Sequence, residues 1–309
     1  MGSESRRYGI VDIGSNTVHA VVYEVDGRGG RVKLMNRKDA AQLINYISKN
    51  RMKKSGIERL EKLIAEFEGA FELLECDETD YFATSSLRNL ENSRNVADSV
   101  YADTGVRIRI IDGSTEAWYD YLSFARNTGK DAFVGADIGG GSVQLVRAED
   151  GALKNHACLE CGCLRMYRRF VSGILPTDKE IKCIRDYISE LYEEALGKAE
   201  FRDDIIYFMG GTARAVSKYL RNADELIAGK RSFYFTPEDL SRILNDFRKD
   251  RKAAVELVAR LFPERIGTFI PGLISMMVLC EKTGASRICV MKDGVREGVL
   301  IEKTDDLGR

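Results

Sequence analysis

The sequence predicts an α/β protein made of two similarly folded halves, and three observations carry that reading. The chain has 309 residues, 44% of them hydrophobic, enough for about two domains with substantial cores. Segments with strand-like alternation take turns with segments of helical spacing along most of its length. One turn also recurs: "YGIVDIGSNTVHAVV" near the start and "FVGADIGGGSVQLV" at residues 133–146 share the design strand, Asp-Ile-Gly, polar turn, strand.

The elements follow in order. "RRYGIVDIGSNTVHAVVYEV" reads as two strands around a Gly-Ser-Asn turn, on its alternation and its Val, Ile and Tyr content. Leu60, Leu63, Ile64, Phe67, Phe71 and Leu74 recur at helical spacing. "DYFATSS" is a strand entering a polar turn, and a helix starts near Asn92 and Ser93 and reaches about Tyr101. "VRIRIID" is a strand and "STEAWYDYLSFARN" a helix. "RNTGKD" interrupts the pattern at residues 126–131, which places the domain boundary there: 1–128 and 129–309, with the last helix free to pack back on the first domain.

Beyond it lie the second strand–turn–strand, a further strand over 152–159, and a long helix opened by the capping box Thr177 to Glu180 behind Pro176. "DIIYFMGGTARAVSKYL" reads strand, glycine turn, helix. Thr236, Pro237 and Glu238 open another helix, "GLISMMVLCEKTG" an apolar one ending near Gly284, and "RICVM" and "VREGVLIE" close the chain as strand and helix.

Composition excludes several classes. The 47 Lys and Arg nearly cancel the 48 Asp and Glu, so neither a general nucleic-acid coat nor a membrane-surface protein is expected. "MGSESRRY" carries no apolar run behind a charged start, and no stretch is apolar enough to span a bilayer. Seven scattered cysteines fit a reducing, cytoplasmic setting. Cys158, Cys161 and Cys163 contain one Cys-x-x-Cys, but no second ligand pair follows; packing in a strand and turn is the expectation over zinc. The two histidines, His19 and His156, exclude any mechanism needing several imidazoles.

The turns themselves invite phosphate chemistry. Glycines let a ligand approach the backbone, and successive free amides there form an anion site. Ser15, Asn16 and Thr17 in the first turn, and Gly139, Gly140, Gly141 and Ser142 in the second, supply donors. Asp12 and Asp137 at the strand ends would repel phosphate unless a cation such as Mg²⁺ sat beside them. Arg88 follows a strand and polar turn, where a guanidinium can grip phosphate oxygens. Glu116 begins a helix, either to orient water or to complement the dipole. Gly210, Gly211 and Thr212 form a third glycine turn at a helix start, suited to a phosphate or nucleoside. Arg165, Arg168 and Arg169 in "RMYRRF" are either a track for a long anion or a solvated helix face.

The ordered set "VDIGSNTV", "ATSSLRN", "DGSTEA", "ADIGGGSVQLV", "GGTARAV" and "DGVREGVL" resembles the Ppx/GppA phosphatases, from about Tyr8 to Leu300. Their wider relatives are sugar kinases, actin and heat-shock chaperone ATPases. The resemblance implies two actin-like (ribonuclease H-like) α/β domains with a cleft between them, in the short two-domain form. It also implies a phosphatase that removes the terminal phosphate of inorganic polyphosphate or the 5′-γ-phosphate of pppGpp with Mg²⁺ or Mn²⁺. Polyphosphate and guanosine penta- or tetraphosphate are thus the implied partners; no nucleic acid or membrane is expected, and a homodimer stays open. By position, Ser15, Asn16 and Thr17 would line the first phosphate loop and Gly139–Ser142 the second. Arg88 would bind phosphate, Glu116 would activate water, and Asp137 would meet the metal, with Asp12 and Gln144 beside it.

Three departures matter. Where the family often has Thr-Glu after the glycine loop, this chain has Val143-Gln144. A carboxylate about 4 Å from a cation is worth about 4 kcal/mol at an effective dielectric of about 20, before solvent competition. Gln keeps an oxygen but drops the charge, so weaker Mg²⁺ binding is expected. Thr115 replaces the first of a pair of acids, and His19 stands near a place where an arginine is frequent. These departures motivate an alternative, a sensor that binds polyphosphate or an alarmone with little turnover. A sugar-type kinase of the same fold is a third reading.

Overall fold

The structure is a computed structural model that describes residues 5–196, 201–223 and 234–305. Two compact units emerge: the chain up to Tyr119 together with the segment from Val295, and Asp120–Gly294.

In the first unit, β1 (Arg6–Ile13), β2 (Val18–Val25) and β3 (Arg31–Asp39) form an antiparallel meander. Two-residue strands β4 (Ile47–Ser48) and β5 (Arg51–Met52) lead to α1 (Lys54–Leu73), then β6 (Glu78–Ala83) and the single turn α2 (Ser85–Arg88). Next come α3 (Ser93–Thr104), β7 (Ile108–Ile110) and α4 (Gly113–Thr128), which runs on into the second unit. The sheet order is β3-β2-β1-β6-β7, with β6 parallel to β1 and β7 parallel to β6. Helix α1 buries Leu60, Leu63, Ile64, Phe67 and Phe71 along one stripe, against Val11, Ile13, Ala20 and Val22 in the same core. Each such side chain contributes roughly 1.5–3 kcal/mol, and Phe67→Ala would cost about 3–5 kcal/mol. Strand β3 lies outside the elements expected from sequence; its mixed "RVKLMNRKD" is half exposed on a sheet edge and carries little apolar alternation.

The second unit repeats the plan. β8 (Phe133–Ile138), β9 (Val143–Glu149) and β10 (Ala152–Leu159) form its meander, followed by α5 (Cys163–Phe170) and α6 (Asp178–Leu196). Then come β11 (Ile205–Met209), α7 (Gly210–Ala223), β12 (Tyr234–Phe235), α8 (Pro237–Lys249), α9 (Arg251–Leu261), α10 (Phe269–Thr283) and β13 (Arg287–Val290). Helix α11 (Val295–Asp305) belongs to the first unit. The sheet order is β10-β9-β8-β11-β13-β12, with β8, β11 and β13 parallel. Apart from the short edge strand β12, both sheets follow one order: a meander read from its third strand to its first, then two parallel strands. That is the ribonuclease H-like order of actin-type domains. The apolar helix α10 is buried almost all round and ends on Gly284 in the left-handed conformation, as the C-terminal glycine predicts.

The expected capping boxes form. Thr177 N donates to Glu180 Oε2 at 2.8 Å and Glu180 N to Thr177 Oγ1 at 3.3 Å. At α8 the box pairs Thr236 with Asp239. The cysteine segment differs from the strand-and-turn expectation: Cys158 lies on β10, but Cys163 opens α5. No helix among the described residues is long and apolar enough to cross a membrane.

Candidate active site

In the first unit the Asp-Ile-Gly turn closes with Gly14 N donating to the Thr17 carbonyl at 3.1 Å. Gln42 N and Ile44 N donate to the Asn16 and Ser15 carbonyls at 2.9 and 3.0 Å. The turn's carbonyls are thereby tied down. Among the described residues, the amides of Ser15, Asn16 and Thr17 donate no hydrogen bond. Such a turn presents donors to an anion.

Ser86 Oγ donates to the carbonyl of Ile13 and anchors α2 beside this turn. Arg88, the last residue of α2, pairs with Glu116, its Nη1 2.7 Å from Oε2, and the two side chains are 13% and 9% exposed. Glu116 sits in the first turn of α4, where the helix dipole favours negative charge. Asp112 caps that helix: its Oδ1 accepts from Thr115 N at 2.7 Å. Hydrogen bonds from Thr115 hold the Asp112 carboxyl below its usual range. Thr115, the departure from a paired acid, is therefore part of the cap that sets Glu116 in place.

Asp12 Oδ2 accepts from Arg296 Nη1 of α11 at 2.8 Å. Burial pushes the Asp12 carboxyl up, against the pull of Arg296. The neighbouring Glu297 is also pushed up by burial, but Arg296, Lys33 and Tyr23 outweigh this and hold it at about 2. Lys33 Nζ and Tyr23 Oη each lie 2.6 Å from Glu297 Oε1. His19 pairs in register with Asp12 and its Nε2 lies 2.6 Å from Asn36 Oδ1. Burial, then the Arg296 charge, depress its pKa to about 3, so it is neutral near pH 7 and Nε2 donates. No proton-transfer role follows for it.

The second unit holds the matching turn. Gly139 N donates to the Ser142 carbonyl at 3.0 Å. Here the start of α5 does the bracing: Gly162 N donates to Gly141 O, Cys163 N to Gly139 O, and Leu164 N and Arg165 N to Gly140 O, all at 2.9–3.1 Å. A Cβ on Gly162 would come 2.5 Å from the backbone carbons of Gly140 and Gly141, so only glycine permits this approach. Arg165 adds Nε to Gly141 O at 3.1 Å and pairs with Glu160 at 2.6 Å. Arg169 stacks on Tyr187 and donates to its hydroxyl at 2.9 Å. The basic run is thus partly committed to local structure. Among the described residues, the amides of Gly140, Gly141 and Ser142 donate no hydrogen bond.

Gln144 is buried, and its Nε2 donates to Ser142 Oγ at 2.9 Å and to Cys158 Sγ at 3.4 Å. It steadies the loop hydroxyl. Gly210, which opens α7, has φ of 90°, and a Cβ there would meet Asp137 Oδ1 at 2.1 Å. The third turn and Asp137 are therefore in contact. Arg265, absent from the sequence-derived set, lies against this turn: a Cβ on Gly211 would meet its Nη2 at 1.8 Å. No local pattern marks it, because it arrives from the far side of α9.

The donor set suits a hard cation only sparingly. Asp12 is engaged by Arg296, and Gln144 by Ser142 and Cys158. Among the described residues no group of three or more His, Cys, Asp or Glu is arranged to hold a metal. Asp137, at the end of β8 and against the Gly210 turn, is the carboxylate that the resemblance assigns to a cation. One carboxylate with waters and phosphate oxygens is a normal Mg²⁺ environment, so the residues fit an ion that arrives with phosphate.

Residues 21–307 match the Ppx/GppA phosphatase family, and the chain belongs to it. Exopolyphosphatase 1 of Mycobacterium tuberculosis is 26% identical over 308 residues, covering 97% of this chain and 88% of that protein. Exopolyphosphatase 1 of Mycobacterium leprae is 24% identical over 304 residues, covering 97% and 90%. Among solved structures, an exopolyphosphatase from Cytophaga hutchinsonii superposes with a TM-score of 0.86 at 19% identity, covering 97% of this chain and 98% of that one. The Aquifex aeolicus member of the Ppx/GppA family gives 0.81 at 18% identity, covering 99% and 100%. The fold is that of these structures, and family membership makes the chain a phosphatase-type hydrolase.

Proposed function

We propose that this chain hydrolyses the terminal phosphoanhydride bond of inorganic polyphosphate with Glu116 as general base. The observation that carries the reading is the Arg88–Glu116 pair, anchored beside a turn whose carbonyls are tied down and whose amides remain to meet an anion. An arginine and a base 2.7 Å apart hold phosphate and water in one place. When Arg88 takes a terminal phosphate oxygen, the carboxylate beside it is within reach of the attacking water.

The step balances simply. The water oxygen bonds to the terminal phosphorus and Glu116 accepts one proton. The bond to the bridging oxygen breaks, releasing orthophosphate and a chain one phosphate shorter. Ser15, Asn16 and Thr17 offer donors to the charge that develops on the phosphoryl oxygens. Gly139, Gly140, Gly141 and Ser142 form a second donor turn of the same kind in the other unit. Gly210, Gly211 and Thr212, at the start of α7, offer a further phosphate position. Asp137 would hold Mg²⁺, or Mn²⁺ in its place, and the ion when bound would neutralise phosphate charge. Asp12 serves mainly as the partner of Arg296, and Gln144 as the brace of Ser142.

The test is phosphate release from long-chain polyphosphate, tripolyphosphate, pppGpp and ATP, each with Mg²⁺ and with Mn²⁺. Turnover is expected with polyphosphate at the highest kcat/KM. Preference for pppGpp would reassign the substrate, and binding of polyphosphate without release from any substrate would make the chain a sensor.

A further inference from the structure

We infer that Gly298 is a positioning residue for the reaction: it lets α11 lie against the backbone of α4 and so sets where Glu116 stands beside Arg88. The role rests on the phosphatase reading above and extends it from the groups at the phosphate to the contact that holds the base in place.

A glycine inside a helix weakens it, because glycine loses more backbone freedom on folding than alanine does. Gly298 lies in the body of α11, so helix formation does not account for it. Packing does. A Cβ on Gly298 would come 1.9 Å from the Tyr119 carbonyl oxygen, 2.5 Å from the carbonyl carbon and 2.8 Å from Cα. These are backbone atoms, and no rotamer change moves them aside. Tyr119 lies about one turn beyond Glu116 on α4. The two helices therefore meet, backbone to backbone, within a turn of the base.

Of the two, α11 is the firmer. Its residues are tied to four strands of the first sheet. Arg296 holds Asp12 of β1 at 2.8 Å, and Glu297 holds Tyr23 of β2 and Lys33 of β3, each at 2.6 Å. Lys303 Nζ lies 3.0 Å from Asp80 Oδ2 of β6. On α4 the polar contacts around the crossing are more exposed: Trp118 Nε1 donates to Glu302 Oε1 at 2.9 Å, and Arg109 Nη1 to Tyr119 Oη at 3.2 Å. A side chain at position 298 would thus push α4 rather than α11. Arg88 would not follow as a body, because α2 is anchored separately through Ser86 on the Ile13 carbonyl. The displacement would fall between Glu116 and Arg88, which now stand 2.7 Å apart. Misplacing a reacting group by about 1 Å can slow a reaction roughly a hundredfold.

The experiment compares steady-state phosphate release from long-chain polyphosphate by the full chain, by Gly298→Ala and by Val299→Ala, with folding checked by thermal melting. Val299 is buried on the same helix, and shortening it loosens α11 without adding an atom at the crossing. Gly298→Ala should lower kcat roughly tenfold to a hundredfold with KM held within about twofold, and Val299→Ala should lower the melting temperature with kcat unchanged. A folded Gly298→Ala with unchanged kcat, or equal loss of kcat in the two variants, overturns the inference. If Gly298→Ala does not fold, Glu302→Ala decides, because it cuts the Trp118 bond between α11 and α4. A few-fold lower kcat at constant KM then supports the role, and an unchanged kcat overturns it. If the wild type releases no phosphate from any substrate, the phosphatase reading fails separately, and the crystal structure of Gly298→Ala, or of Glu302→Ala, decides the positioning. An Arg88–Glu116 separation beyond hydrogen-bond distance supports it, and an unchanged pair overturns it.

Discussion

The two Asp-Ile-Gly turns use one backbone device for different electrostatics. Each is closed by its glycine amide donating three residues ahead, at 3.1 Å in the first and 3.0 Å in the second. In each, the aspartate pairs in register with a buried polar residue of the next strand, Asp12 with His19 and Asp137 with Gln144. The surroundings then diverge. Arg296 of α11 neutralises Asp12, while Asp137 faces a glycine opening with no room for a side chain. The first turn is braced by residues 42–44 and the second by the start of α5. The lesson is that a repeated turn conserves its donors by geometry, but the charge beside it is assigned by whatever distant segment packs there.

The largest expected effect breaks the first turn. Arg296→Met leaves Asp12 buried without its cation and Glu297 with Lys33 alone, and should cost about 3–5 kcal/mol, read by chemical denaturation. Next, Asp137→Asn should lower kcat on polyphosphate roughly a hundredfold or more and raise the Mg²⁺ requirement. Asp12→Asn should act mainly on stability, with the Mg²⁺ requirement unchanged; equal effects of the two on Mg²⁺ would erase the distinction between the turns.

Acid should reveal the same asymmetry. The folded-state pKa of Glu297 is about 2, below the ordinary value of 4.5, so its contribution is present above about pH 4.5 and is lost as pH falls toward 2. That contribution is on the order of 3 kcal/mol. Glu297→Gln should flatten the stability–pH curve in that window, and an unchanged slope would show that the carboxyl is not held down. The smallest effect is at Gln144: Gln144→Glu restores a charge beside Asp137 and should tighten apparent Mg²⁺ binding a few-fold, roughly 1 kcal/mol after solvent competition.

Much of this was legible in the sequence because the signals are local. The paired turns, the stripe on α1 and the capping box at Thr177 each lie within one or two elements, and their periodicity survives in a single chain. Glu116 and Arg88 were each marked by a strand end, and the structure joins them. What stayed hidden is made by segments far apart. Arg296 reaches Asp12 across 284 positions, and Arg265 reaches Gly211 from beyond α9. Nothing in the sequence sets Gly162 apart from the other glycines; the loop it contacts does. Edge strand β3, which exposes Val32 and Leu34 beside Lys33, Asn36 and Lys38, shows no apolar face that separates it from a loop.

The most direct measurement is single-turnover release of orthophosphate from long-chain polyphosphate by the wild type and by Glu116→Gln, at saturating Mg²⁺. The account predicts rapid release by the wild type, a 10²- to 10⁴-fold slower step in the variant, and unchanged polyphosphate binding. Equal rates would contradict it, because the proton of the attacking water would then go elsewhere.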